Sequence, residues 1–168
     1  MHRVVGLALS WGFGIWGLES GASEITLSLN LSVMATINRF EDLEVWQLAR
    51  KLENEIFEET QKGKLSKDFK LRDQINAATG SIMDNIAEGF GRASRLEFVQ
   101  FLSISNGSGN ETQSQLYRCL DRQYITIEKF KELYDLTDLV CKKINAFMSY
   151  LNKSTIKGQK FANRKISK

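Results

Sequence analysis

Two sets of polar side chains recur at helical spacing in the middle of this chain. Ser81, Asn85 and Glu88 stand at i, i+4 and i+7, and Glu111, Gln115 and Arg118 repeat the interval, so each set shares one helix face. Two carboxylates such as Glu88 and Glu111 are minimal equipment for general acid–base chemistry. That chemistry needs a nucleophile, an imidazole or a metal beside it. The single histidine, His2, lies far from both sets, which also excludes a di-iron bundle with its Glu-x-x-His pairs. Cys119 and Cys141 have no sequence partners for catalysis and read as small buried hydrophobes. A zinc site of about four closely spaced ligands cannot be assembled. Gly89-Phe90-Gly91 lacks the lysine and spacing of a phosphate loop and reads as a helix stop. The expectation is a protein without catalytic residues, cofactor or metal. Ser81, Asn85, Glu88, Glu111 and Gln115 are then a polar network that fixes helix register.

The other chemistry on offer is phosphate binding. The chain has 168 residues and a formal net charge of +3, but the charge is unevenly spread. Residues 152–168 hold six Lys/Arg and no acid, whereas residues 34–151 carry 16 basic and 18 acidic side chains. A basic tail thus hangs from a nearly neutral body, and such a tail holds a polyanion without reading its sequence. The candidate contacts are Arg92, Arg95, Arg118, Arg122, Lys153, Lys157, Lys160, Arg164, Lys165 and Lys168.

Helices must position these residues. The chain contains no proline, where average usage of about 5% would give roughly eight, which favours long helices and short connections. Val45, Ala49, Leu52 and Ile56 form an apolar stripe on a first helix running from Leu43 to about Gln61, capped by Asp42. Trp46 and Leu48 lie beside that stripe, and Trp46 reads as core or subunit interface. Ser66 is the expected cap of a second helix carrying Phe69, Leu71, Ile75, Ala78, Ile82 and Ile86. Ser94-Arg95-Leu96-Glu97 has the form of a capping box opening a third helix with Phe98, Phe101, Leu102, Leu116 and Leu120. Gly107 and Gly109 mark a break in it or a close approach to a neighbouring helix. A fourth helix begins near Thr126 with Phe130, Leu133, Thr137, Val140, Ile144, Phe147 and Leu151. No segment sustains a period of two. The fold class is all-α, an antiparallel up-down-up-down four-helix bundle over residues 39–152, with a basic tail at 153–168. That order brings Arg39, Arg92, Arg95 and the tail to one end. It brings Lys62, Lys64, Lys67, Lys70 and Arg122 to the other.

Residues 1–33 are of another kind. From Val4 to Leu18 there is no charge, but four glycines and two tryptophans interrupt any period, and fifteen residues fall short of the roughly twenty needed to span a bilayer. Two readings stand. Met34 is the true start and the upstream residues are a leader, or Arg3, the apolar run and Ser20-Gly21-Ala22 form a signal peptide. The first implies a cytoplasmic protein and is preferred.

Several of these motifs together resemble a known family. Phe40-Glu41-Asp42-Leu43-Glu44-Val45-Trp46-Gln47-Leu48-Ala49 looks like the opening signature of the bacterial four-helix-bundle proteins known as 23S rRNA-intervening sequence proteins or "S23 ribosomal proteins". Gln74-Ile75, Ser81-Ile82, Asn85-Ile86-Ala87-Glu88-Gly89 and Arg92 look like the second signature. Glu97-Phe98, Phe101-Leu102, Gly107-Ser108 and Glu111 through Gln115-Leu116 resemble the third. Asn76-Ala77-Ala78 stands where relatives often carry basic residues. The resemblance implies a bundle that assembles into a homo-oligomeric ring, a pentamer in characterised relatives. It also implies kinship with the accessory variability determinant of diversity-generating retroelements, which binds nucleic acid and a reverse transcriptase. RNA, DNA and a nucleic-acid-processing protein such as a reverse transcriptase are therefore the partners expected here, with no membrane. The alternative expectation is a ring scaffold that recruits a protein and touches no nucleic acid.

Overall fold

Four apolar stripes meet in one core in the computed structural model, which describes residues 37–154. The helices are α1 (Glu44–Thr60), α2 (Phe69–Gly91), α3 (Arg95–Asp121) and α4 (Ile127–Lys153). Single 3-10 turns, Phe40–Asp42 and Leu65–Lys67, precede α1 and α2. At about 1.5 Å per residue the helices run about 25 to 40 Å. Each packs on its neighbour in sequence, and α4 closes on α1. Cross-links fix the antiparallel order. The start of α1 meets late α4 through Glu44 and Lys143 (2.7 Å), and Asp68, before α2, meets Arg122, after α3. The start of α3 meets the end of α4 through Arg95 and the Leu151 carbonyl (2.9 Å).

The centre is aliphatic. Ala49, Leu52 and Ile56 from α1 pack with Leu71, Ile82 and Ile86 from α2, Leu102 and Leu116 from α3, and Leu133, Val140 and Ile144 from α4, all buried. Burying each large aliphatic contributes about 1.5–3 kcal/mol. The buried hydroxyls satisfy themselves within the backbone: Thr79 donates to the Ile75 carbonyl, Thr112 to Ser108 and Thr137 to Leu133. Ser105 instead reaches across to the Ile82 carbonyl (2.8 Å) and ties α3 to α2.

The helix ends depart from the sequence expectation in instructive ways. Asp42 does not cap α1. It lies in the preceding turn, and Leu43 occupies the cap position because its side chain is drawn into the core. Asp68, not Ser66, caps α2, accepting from the Leu71 amide at 3.2 Å, while the Ser66 hydroxyl donates to the Gly63 carbonyl. A carboxylate adjacent to the helix start outcompetes a hydroxyl two residues earlier. Ser94 holds the cap position of α3 without a side-chain cap bond and is buried. Helix α2 runs on through Gly89 and Gly91, and the left-handed residue in the connection is Ala93 (φ 53°). Gly89 serves closeness instead: a Cβ there would stand 2.6 Å from Cβ of Phe101. Helix α3 is unbroken. Gly109 lies against Cys141, where a Cβ would collide with the sulfur, whereas Gly107 faces open space.

Candidate nucleic-acid interface

The candidate basic residues fall at opposite ends of the bundle. At the end where α2 stops and α3 starts, Arg95 donates from Nη1 to the Leu151 carbonyl, with the Asn152 carbonyl at 3.5 Å. It thereby adds a side-chain donor to the last turn of α4, where the Ser154 amide also bonds the Leu151 carbonyl (3.2 Å). Its Nε is buried without a hydrogen bond. Arg92 pairs with Glu88 one turn back, and its guanidinium lies over the Phe101 ring, 5.2 Å from the centroid. Arg39 pairs with Glu41 at 2.6 Å. Lys153 is exposed in the last turn of α4. Lys157, Lys160, Arg164, Lys165 and Lys168 lie outside the described residues, as do residues 1–33 with both readings of the leader.

The other end holds Arg118 and Arg122. Arg118 donates to Gln115 Oε1 (2.6 Å) and Gln74 Oε1 (3.0 Å), joining α3 to α2. Arg122 meets Asp68 Oδ2 at 2.5 Å, and the Tyr124 hydroxyl donates to the same oxygen at 3.2 Å. The amide of Leu71 holds the Asp68 carboxyl below its ordinary range, helped by Tyr124 and Arg122. One carboxylate thus fastens the start of α2 to the α3–α4 connection. Sequence reasoning missed this junction, although an aspartate just before an apolar helical run was its visible sign.

The expected polar network divides. Ser81 and Ser108 hydroxyls stand 2.9 Å apart across the α2–α3 seam, and Asn85 Nδ2 donates to Ser81 at its carbonyl (2.7 Å) and hydroxyl (3.0 Å). Gln115 belongs to the separate Arg118–Gln74 group. Glu88 and Glu111 are both exposed and join neither, because the helix twist carries the last position of the first set and the first position of the second out of the seam. Ser108 and Gln74 complete the seam in their place. Asn76 is turned to the Thr60 hydroxyl (3.2 Å) at the close of α1.

Trp46 is half-buried, edge-on to Phe40 at 5.1 Å, with Arg50 5.8 Å from its ring centroid. The thiols of Cys119 and Cys141 are free and buried. Burial pushes both up, Cys119 to about 11, so neither is a thiolate at neutral pH. No group of three His, Cys, Asp or Glu among the described residues gathers to hold a metal. Among the same residues no helix is long and apolar enough to cross a membrane.

These features define an all-α bundle whose ends, rather than a central cavity, display its polar chemistry. The model of the 23S rRNA-intervening sequence protein family matches residues 41–146, which spans the four helices except the last two turns of α4, and the chain belongs to that family. A crystal structure of a protein of unknown function from the S23 ribosomal protein family of Bacteroides thetaiotaomicron VPI-5482 shares the fold, with a TM-score of 0.57 and 23% identity. The alignment covers 62% of this chain and 97% of that one. No curated protein matches.

Proposed function

We propose that the chain is a non-enzymatic, oligomeric bundle of the bacterial cytoplasm that binds nucleic acid, or a protein that processes it, through its basic tail. The observation that carries this reading is the charge at the end of α4. Lys153 is exposed there, and the fifteen residues after it hold five Lys/Arg and no acid. Arg92 stands at the same end on the solvent side. Its bond to Glu88 is an exposed pair of the kind that contributes under about 1 kcal/mol, so a phosphate competes with it at little cost. Arg95, Arg118 and Arg122 contribute less directly, since each would give up a bond that holds two elements together.

Oligomer formation is supported by apolar surface that the monomer leaves uncovered. Leu96 (67% exposed), Ile104 (53%), Phe57, Tyr117 and Leu139 all face solvent, and patches of several hundred Å² usually mark interfaces. A closed ring, with five subunits favoured, would multiply the basic end and convert weak contacts into avidity. Light scattering after size exclusion should give a multiple of the subunit mass. Removing residues 153–168 should weaken RNA binding while leaving the bundle folded. A stable monomer contradicts the ring. Undiminished assembly without nucleic-acid binding favours the protein-recruiting scaffold, a reading that the engaged arginines support.

A further inference from the structure

We infer that the α1–α2 connection is a second nucleic-acid contact, a small basic and aromatic platform for single strands at the end of the bundle opposite the close of α4. This inference rests on the nucleic-acid reading above. Between Gln61 and Lys70 the chain carries four lysines and one acid. Lys62 pairs with Glu59 at 2.8 Å, and the one acid, Asp68, is already engaged with Leu71, Arg122 and Tyr124. Lys64, Lys67 and Lys70 are exposed, and their ammonium groups make no ion pair among the described residues. Five other lysines among the described residues do have acidic partners: Lys51, Lys62, Lys129, Lys142 and Lys143.

The loop that bears these charges is held in one shape. Leu65 is only 2% exposed in the core, Gly63 takes the left-handed conformation, Ser66 donates to the Gly63 carbonyl, and Arg72 reaches back to the Ser66 carbonyl at 3.4 Å. In the 3-10 turn a rise of about 2 Å per residue sets Lys64 and Lys67 about 6 Å apart along its axis. Lys67 and Lys70 flank the start of α2, where the helix dipole disfavours cations, so the fold keeps them there against its own electrostatics. Between them Phe69 is 64% exposed, and the Arg72 guanidinium covers one face of the ring at 4.8 Å. The arrangement offers phosphate oxygens three free ammonium groups and offers a base a ring backed by a cation. Stacking on such a ring is tolerant of sequence, which suits single strands better than a duplex.

The test uses the full chain and a short fluorescein-labelled oligouridylate, titrated by anisotropy over a range of salt. Each phosphate contact on a single strand contributes about 0.7 to the slope of log K against log salt, so changing Lys64, Lys67 and Lys70 together to Gln should flatten it by about 2. Phe69→Ala should weaken binding roughly tenfold with the slope unchanged. A control that changes Lys51, Lys142 and Lys143 to Gln alters net charge equally at paired positions, and it should move the slope far less. Equal effects of the two triple variants, or no effect of the loop variant while tail removal still weakens binding, overturns this inference and leaves the nucleic-acid reading standing. Competition by polyglutamate as strong as that by oligouridylate, with Phe69→Ala silent, assigns the loop to acidic polypeptides and overturns it too. Absence of any salt-sensitive binding by the full chain overturns both.

Discussion

The two ends of this bundle use cations in opposite ways. At the end where α3 begins, Arg95 is turned inward and spends its donors on carbonyls of the last turn of α4, while Arg92 lies over Phe101 and pairs with Glu88. At the far end Arg122 is likewise fastened to Asp68, but Lys64, Lys67 and Lys70 stand free around a loop anchored by Leu65. Arginine, with its rigid fork of donors, is the residue that closes helix termini here, and lysine, a hydrated point charge, is the one left for solvent or ligand. Basic residues near a helix end are therefore not one population. Their partners separate structural cations from available ones.

The sharpest way to break the far end is to remove its anchor. Leu65→Ala empties a fully buried site and should cost about 3 kcal/mol in thermal or denaturant unfolding, and it should release the lysine loop as well. A loss below about 1 kcal/mol would mean that the loop is not seated in the core. The corresponding change at the other end is Arg95→Ala. Losing a charge-assisted bond that joins α3 to the last turn of α4 should cost about 2 kcal/mol, and Arg95→Lys should recover only part of it. Hydrogen exchange should show the last turn of α4 opening first.

A smaller effect separates the ends by pH. Asp68 is held below its unfolded pKa, so its contribution is complete above about pH 4 and is lost as pH falls through the folded value. Asp68→Asn keeps an N-cap acceptor but loses the charge facing Arg122, so the stability gap between wild type and variant should close on acidification. A gap independent of pH would exclude the carboxylate charge as the linker. The smallest effect belongs to the free lysines. Changing Lys64, Lys67 and Lys70 to Gln should shift stability by less than about 0.5 kcal/mol, toward greater stability, because cations are removed from the start of α2.

The four helices were legible because their apolar stripes repeat at helical spacing, and the stripe residues Ala49, Leu52, Ile56, Leu71, Ile82, Ile86, Leu116, Leu133, Val140 and Ile144 are indeed the buried ones. Their ends were less legible. Ser66 and Asp68 are both good caps two residues apart, and the bonds from Arg122 and Tyr124, which no local pattern reports, add to the cap bond in favouring Asp68. Spacing placed Ser81 and Asn85 correctly on one face, but it could not show that Glu88 and Glu111 point away from the seam, since one turn further along a helix the facing partner has changed. Composition located the basic residues without revealing which were taken. Arg95 and Leu151 are 56 positions apart, and no local pattern reports such a bond. Gly107 and Gly109 look alike in sequence, yet only Gly109 is pressed against another helix.

The most direct measurement of the central claim is the salt dependence of oligouridylate binding by the full chain. Six basic residues in the tail, at about 0.7 per phosphate neutralised, predict a slope of about −4 or steeper in log K against log salt, and removal of residues 153–168 should take most of it away. A flat salt dependence, or a slope that survives loss of the tail unchanged, would contradict the account.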